Sequence, residues 1–261
     1  NKGLVISIDT YIDGVHFVNF KSPNLVIKKI IRSSISDLIC KGVKPKFYFI
    51  SGSGNKKTFS KKNLSQISKT LKNEQQIYDL GLCGGDTTYS NKLSFTITSL
   101  GYSKKIIYRN KAYLNDDIYV TGNLGDSFIG LQVLKNKINL NKKTSKFFIK
   151  KYYHPEIQIK LTNYLFKFAN TSIDISDGLI GDLEKMINKQ NFSFLINENK
   201  IPISSNLNKL ILKEGLKKLN VVTKGDDYQI LFTANSNKNR IIQQISKNLG
   251  IKITKIGKII S

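Results

Sequence analysis

The chain has 261 residues, 40% of them hydrophobic, which is enough for one large domain or two of ordinary size with buried cores. Lys and Arg number 42 against 18 Asp and Glu, a net charge of +24, yet the lysines are spread among Ile and Asn along the whole length. That pattern reads as a general Lys, Ile and Asn bias, not as a basic groove interleaved with aromatics, so nucleic acid is not expected as a partner. No run of about 18 apolar residues occurs and no signal-like segment opens the chain, so neither a membrane span nor export is indicated.

Residues 4–10 alternate as a strand and deliver Ser7, Asp9 and Thr10 toward its end, where Asp13-Gly14-Val15-His16-Phe17 turns a histidine back. Residues 24–42 read as a helix with an apolar stripe through Ile27, Ile30, Ile31, Ile35 and Leu38, stopped by Gly42. Asp37 lies near its C-terminus, where a carboxylate opposes the helix dipole at a cost of a few tenths to about 1 kcal/mol, an expense that a bound cation would offset. A strand over 45–51 and a polar-faced helix over 60–78 lead into Cys83-Gly84-Gly85-Asp86-Thr87-Thr88, expected as a glycine turn before a strand over 93–100. Bare backbone at Gly84 and Gly85 beside the hard oxygen ligand Asp86 suits a metal-bound phosphate. Cys40 and Cys83 have no metal-ligand spacing and are expected as buried thiols in a reducing cytoplasm.

A domain boundary is placed near residue 110, where a new strand and a new glycine loop begin, giving an N-terminal domain over 1–110 and a C-terminal domain over 111–261. Asp116 to Gly122 forms a new strand, and Gly122-Asn123-Leu124-Gly125-Asp126 turns into an apolar helix over 128–134; its glycine spacing does not fit a dinucleotide fingerprint, and it reads as a plain strand-to-helix turn. Residues 142–151 and 155–168 are expected to be helical. A second acidic knot follows, Ile173-Asp174-Ile175-Ser176-Asp177-Gly178, in which a strand runs into a helix over 179–188 whose first N–H groups are expected to be free. Gly225-Asp226-Asp227-Tyr228 introduces a strand over 229–233, then a helix through residue 247 and a strand over 251–256.

In this order the five acidic motifs resemble those of thiamine-monophosphate kinase, a family grouped with aminoimidazole ribonucleotide synthetase, selenophosphate synthetase and the hydrogenase maturation factor that dehydrates a carbamoyl group. The resemblance runs over nearly the whole chain, and His16-Phe17 with the Gly-Gly-Asp-Thr-Thr form favours the thiamine member. It implies an α/β (α+β) fold: an N-terminal domain whose mixed sheet forms a barrel across a homodimer, plus a C-terminal α/β domain, with ATP in the cleft between them. By the same resemblance Ser7, Asp9, Asp37, Asp86, Asp174 and Asp177 match positions that hold several Mg2+ ions. Gly85, Asp86, Arg109 and Ser176 match nucleotide-contacting positions, and His16 and Asp226 positions that touch thiamine monophosphate.

Four departures from the family pattern stand out. The acidic Gly-Asp-Asp motif before the first strand has no counterpart, and the C-terminal aromatic that packs on the substrate has none either. Position 8 is Ile where the family has Thr. Asp226 replaces a Glu with a side chain one methylene shorter. The implied reaction is ATP-dependent, in-line phosphorylation of thiamine monophosphate to thiamine diphosphate in the cytoplasm, with no protein general base because a phosphate monoester is already an anionic nucleophile. The alternatives are another ATP-dependent enzyme of the same superfamily, of the hydrogenase maturation or aminoimidazole ribonucleotide synthetase type, or a basic nucleic-acid-binding protein.

Overall fold

The structure, a computed structural model, describes residues 2–261. It divides into two compact units: residues 2–38 with 43–104, and residues 39–42 with 105–261.

The first unit is a four-stranded mixed sheet covered on one face by two helices. Its strands β1 (Gly3–Ile12), β2 (Pro45–Gly54), β3 (Gly81–Tyr89) and β4 (Ser94–Ser103) lie in the order β1-β4-β2-β3, so β1 and β3 are the two edges. β4 runs antiparallel to both β1 and β2, while β2 and β3 are parallel. Helix α1 (Pro23–Cys40) lays Val26, Ile27, Ile30, Ile31, Ile35 and Leu38 against Tyr48, Phe95 and Ile97 of the sheet. Helix α2 (Lys61–Tyr78) is started by the Ser60 side chain, which accepts from the Asn63 N–H, and is tied to α1 by Arg32, whose guanidinium grips the buried Glu74 at 2.8 and 3.3 Å. The opposite face of this sheet leaves Leu4, Ile6, Ile8, Phe47, Phe49 and Tyr102 exposed.

The second unit is built on a five-stranded, wholly antiparallel sheet of order β6-β8-β5-β9-β7, formed by β5 (Asp117–Thr121), β6 (Thr171–Asp174), β7 (Ser193–Ile196), β8 (Ile230–Ala234) and β9 (Ile253–Ile260). Helices α3 (Asp126–Leu134), α4 (Lys142–Tyr153), α5 (Leu179–Ile187), α6 (Ser205–Glu214), α7 (Lys218–Val222) and α8 (Asn239–Leu249) complete it. Ile118, Val120, Ile173, Leu183, Leu231 and Ile256 anchor its main core.

Several local expectations are corrected. The Gly84-Gly85-Asp86 motif is not a turn: it lies inside continuous strand β3, because a bulge at Cys83, opposite the Tyr48 to Phe49 step of β2, absorbs the extra residue and lets the glycines pair onward. Cys83, on this edge strand, is exposed, whereas Cys40 is buried. The segment 155–168 is not a helix. Leu161, Leu165 and Phe168 are buried at helical spacing, but the backbone realises them as 3-10 turns at Ile159–Leu161 and Leu165–Lys167, with the Thr162 hydroxyl donating back to the Ile159 carbonyl at 2.7 Å. The stretch 189–224, which the sequence pattern leaves unassigned, contributes β7, α6 and α7.

Candidate active site

Within the first unit, pleat alternation sends Ser7, Asp9 and Tyr11 toward α1. Ser7 Oγ donates to Asp37 Oδ2 at 2.6 Å, so the carboxylate that the helix dipole disfavours receives a hydroxyl from the neighbouring strand. Asp9 is half-buried beside this pair, and its Oδ2 is buried without a hydrogen-bond partner. Burial first, and the Asp37 carboxylate second, push Asp9 up to about 6, against a lowering hydrogen bond from Ser34. Two neighbouring carboxylates, one of them with an orphaned oxygen, fit a divalent cation's oxygen-ligand chemistry. Among the described residues no group of three His, Cys, Asp or Glu side chains is gathered as a metal cluster; the pair with Ser7 is what the fold brings together.

Asp86 is not part of that group. In register it stands in the row Thr10, Thr96, Ser51, Asp86, next to the row Asp9, Ile97, Ile50, Gly85, which puts it on the other face and at the opposite edge of the sheet. It is exposed, and its Oδ1 accepts from the Thr87 N–H at 2.7 Å. Gly85 is demanded by the sheet itself, since a Cβ there would come within 1.9 Å of the Ile50 carbonyl oxygen. His16 is exposed on the turn after β1. Its Nδ1 accepts the Ile12 N–H at 3.0 Å, which leaves the ring proton on Nε2 as a donor.

Within the second unit, Asp174 ends β6 and is buried, Ser176 is half-buried, and Asp177 and Arg109 are exposed. The N–H groups expected to be free at the start of α5 are taken. Asp182, a residue the sequence reading does not single out, accepts from the Asp177 N–H at 2.8 Å and the Gly178 N–H at 3.0 Å. Asp177 is paired with Lys185, so it caps nothing. Asp226 sits at φ 63° on the loop that enters β8. Its N–H donates to the Ser176 carbonyl at 2.8 Å, so these two candidate residues share one backbone junction.

Two further carboxyl groups were invisible to pattern reading. Asp227 is buried and accepts from the Gly125 N–H at 2.8 Å; burial, with Asp126 and Asp226 nearby, pushes it up to about 8. Asp126, the first residue of α3, accepts from Ser204 Oγ at 2.7 Å and is raised to about 6, again chiefly by burial. The only signal in the sequence was a carboxylate beside a glycine at the mouth of an apolar helix, which is also what an ordinary turn looks like.

A family model described as AIR synthase related protein, N-terminal domain, matches residues 1–103. The thiamine-monophosphate kinase of Buchnera aphidicola subsp. Acyrthosiphon pisum is 35% identical over 268 residues, covering 99% of this chain and 80% of that protein. The crystal structure of thiamine-monophosphate kinase from Stenotrophomonas maltophilia superposes with a TM-score of 0.92 at 26% identity, over 100% of this chain and 84% of that one. The structure of AaThiL complexed with AMPPCP and TMP gives a TM-score of 0.90 at 27% identity, over 100% of this chain and 82% of that one. With a relative this similar over nearly the full length, the five ordered acidic motifs have their explanation, and the chain belongs to the thiamine-monophosphate kinase family.

Proposed function

We propose that this chain transfers the γ-phosphoryl group of ATP to thiamine monophosphate, giving thiamine diphosphate and ADP by direct in-line displacement with no phosphoenzyme. The observation that carries the reading is the Asp9 and Asp37 pair with its orphaned oxygen, set in a member of this family, one solved relative of which is complexed with AMPPCP and TMP. Ser7, Asp9, Asp37, Asp86, Asp174 and Asp177 are the residues that would hold Mg2+. Bound there, the metal supplies charge neutralisation for two phosphates that otherwise repel.

The chain's own groups do the rest. The backbone N–H groups at Gly85 and Asp86, the Arg109 guanidinium and the Ser176 hydroxyl bind the nucleotide's phosphates and fix their orientation. His16 donates from Nε2 to the acceptor phosphate, and Asp226 offers a carboxylate to the cationic, amine-bearing body of thiamine. No side chain removes a proton, because the acceptor oxygen is already anionic. An ATP-dependent reaction supports a cytoplasmic site of action. Among the described residues no helix is long and apolar enough to cross a membrane.

We also infer that the working form is a homodimer in which the first-unit sheets of two copies close into a barrel. The exposed row of Leu4, Ile6, Ile8, Phe47 and Phe49, flanked by two open strand edges, supports it. Closure of β1 of one copy against β3 of the other would set the strands that carry Asp9 and Asp86 side by side across the seam. The kinase reading is tested by incubating the protein with ATP, Mg2+ and a panel of phosphate monoesters. Formation of thiamine diphosphate from thiamine monophosphate alone is expected; preferential turnover of another acceptor would sink the assignment.

A further inference from the structure

Three of the four residues in Gly225-Asp226-Asp227-Tyr228 have left-handed backbone: Gly225 at φ 75°, Asp226 at 63° and Tyr228 at 51°. Two of them are not glycine, an arrangement that costs free energy and persists only where surrounding contacts enforce it. The contacts are explicit. Asp226 N–H donates to the Ser176 carbonyl and Tyr228 N–H to the Ile175 carbonyl, each at 2.8 Å, while the Asp227 carboxyl takes the Gly125 N–H at 2.8 Å. The two loops are in backbone contact: a Cβ on Gly225 would come within 2.2 Å of the Ser176 carbonyl oxygen, and one on Gly178 within 2.3 Å of Thr223. A segment strained and stitched in this way is a platform held in one conformation.

What the platform holds is Asp226, and the side chain aimed at it is Tyr228, whose hydroxyl donates to Asp226 Oδ1 at 3.1 Å. Tyr152, fully buried, lies close enough that the Asp226 charge adds to burial in raising its phenol. We propose that Tyr228 is a positioning residue for the acceptor: its hydroxyl fixes the rotamer of Asp226 so that the second carboxylate oxygen is presented to thiamine monophosphate. The left-handed turn, locked to the nucleotide-side loop, sets where that oxygen stands. The shorter Asp at this position makes the tether matter more, because a side chain with one fewer methylene reaches the ligand from fewer rotamers. This inference rests on the reading of Asp226 as an acceptor-binding residue.

The test is a double-mutant cycle in the kinase assay on the whole chain, with Tyr228→Phe, Asp226→Ala and the two combined. Tyr228→Phe keeps the ring and should raise KM for thiamine monophosphate by about tenfold, with KM for ATP and kcat within about twofold of the parent. In the Asp226→Ala background the same change should add nothing, which a merely structural tyrosine would not achieve. An unchanged KM for thiamine monophosphate in Tyr228→Phe, or full additivity in the double variant, overturns the proposal while leaving the acceptor reading in place. If Asp226→Ala itself leaves that KM unchanged, the acceptor reading fails first and the inference falls with it.

Discussion

Two inactive variants mixed together should recover activity. Asp9 lies on one edge strand of the first-unit sheet and Asp86 on the other, with β4 and β2 between them. Three strand spacings amount to about 14 Å, whereas two carboxylates sharing one Mg2+ bring their oxygens to about 3 Å of each other. A single copy therefore cannot use both in one site, and a site that uses both must take Asp9 from one copy and Asp86 from the other. Asp9→Asn and Asp86→Asn chains should each be inactive and folded. In a heterodimer of the two, one site carries both lesions and the other carries neither, so a purified heterodimer should show about half the parental kcat per dimer. A randomly reassorted equal mixture should show about a quarter. Differently tagged chains, exchanged under mild denaturant and separated by two affinity steps, would be assayed for thiamine diphosphate formation. A heterodimer as inactive as its parents would refute the shared site.

Asp227→Asn probes the buried carboxyl that accepts from Gly125. Its folded pKa of about 8 lies above the ordinary carboxylate value, so the stability it contributes is fully present below about pH 4 and is lost as pH rises toward 8. That amounts to roughly 3 kcal/mol or more by pH 7, so the variant should melt roughly 6–12 °C above the parent at pH 8 and alike at pH 4. Asp126 and Asp226 act on this carboxyl directly, and Lys151, His154 and Glu156 line the small polar cavity beside it, so parallel melting curves across this range would mean the group is not the one titrating. His16→Ala should raise KM for thiamine monophosphate about tenfold and leave KM for ATP nearly unchanged, and equal effects on both would assign His16 to loop structure. Saturating Mg2+ should raise the melting temperature of the parent, by an amount equivalent to about 2.7 kcal/mol at a hundredfold excess over Kd, and a smaller rise in Asp9→Asn would place the ion at the orphaned oxygen.

The acidic knots could be read from sequence because an aspartate near the end of an apolar strand or helix has few structural excuses, and Asp9 and Asp174 stand in strands and Asp37 in the last turns of α1. Strands β1 and β4 and helix α1 were legible for the same reason: one face of each is buried, so apolar residues recur with the period of the element. Strand β3 hid because Gly84 and Gly85 look like a turn until Ile50 supplies the carbonyl that forbids a side chain at Gly85. The segment 155–168 misled because burial at helical spacing fixes which residues point inward, not how the backbone gets them there. Asp227 and Gly125 are 102 residues apart in the chain, and only the folded sheet makes that carboxyl an anchor instead of a turn residue.

Charge is distributed unevenly over the first-unit sheet, and this bears on how a single chain behaves in solution. In a protein where 42 of 261 residues are basic, β1, β3 and β4 contain no Lys or Arg at all, and β2 has only Lys46. Natural sheets usually guard an open edge with such residues, and here that guard is missing on both edges. The repulsion that keeps so cationic a chain in solution therefore resides on the helices and the second unit, and salt that screens it will expose the unguarded edges to one another. Freshly synthesised or dilute chains should be most prone to off-pathway strand pairing at moderate ionic strength, and a lysine introduced at Ile8 would trade assembly for solubility.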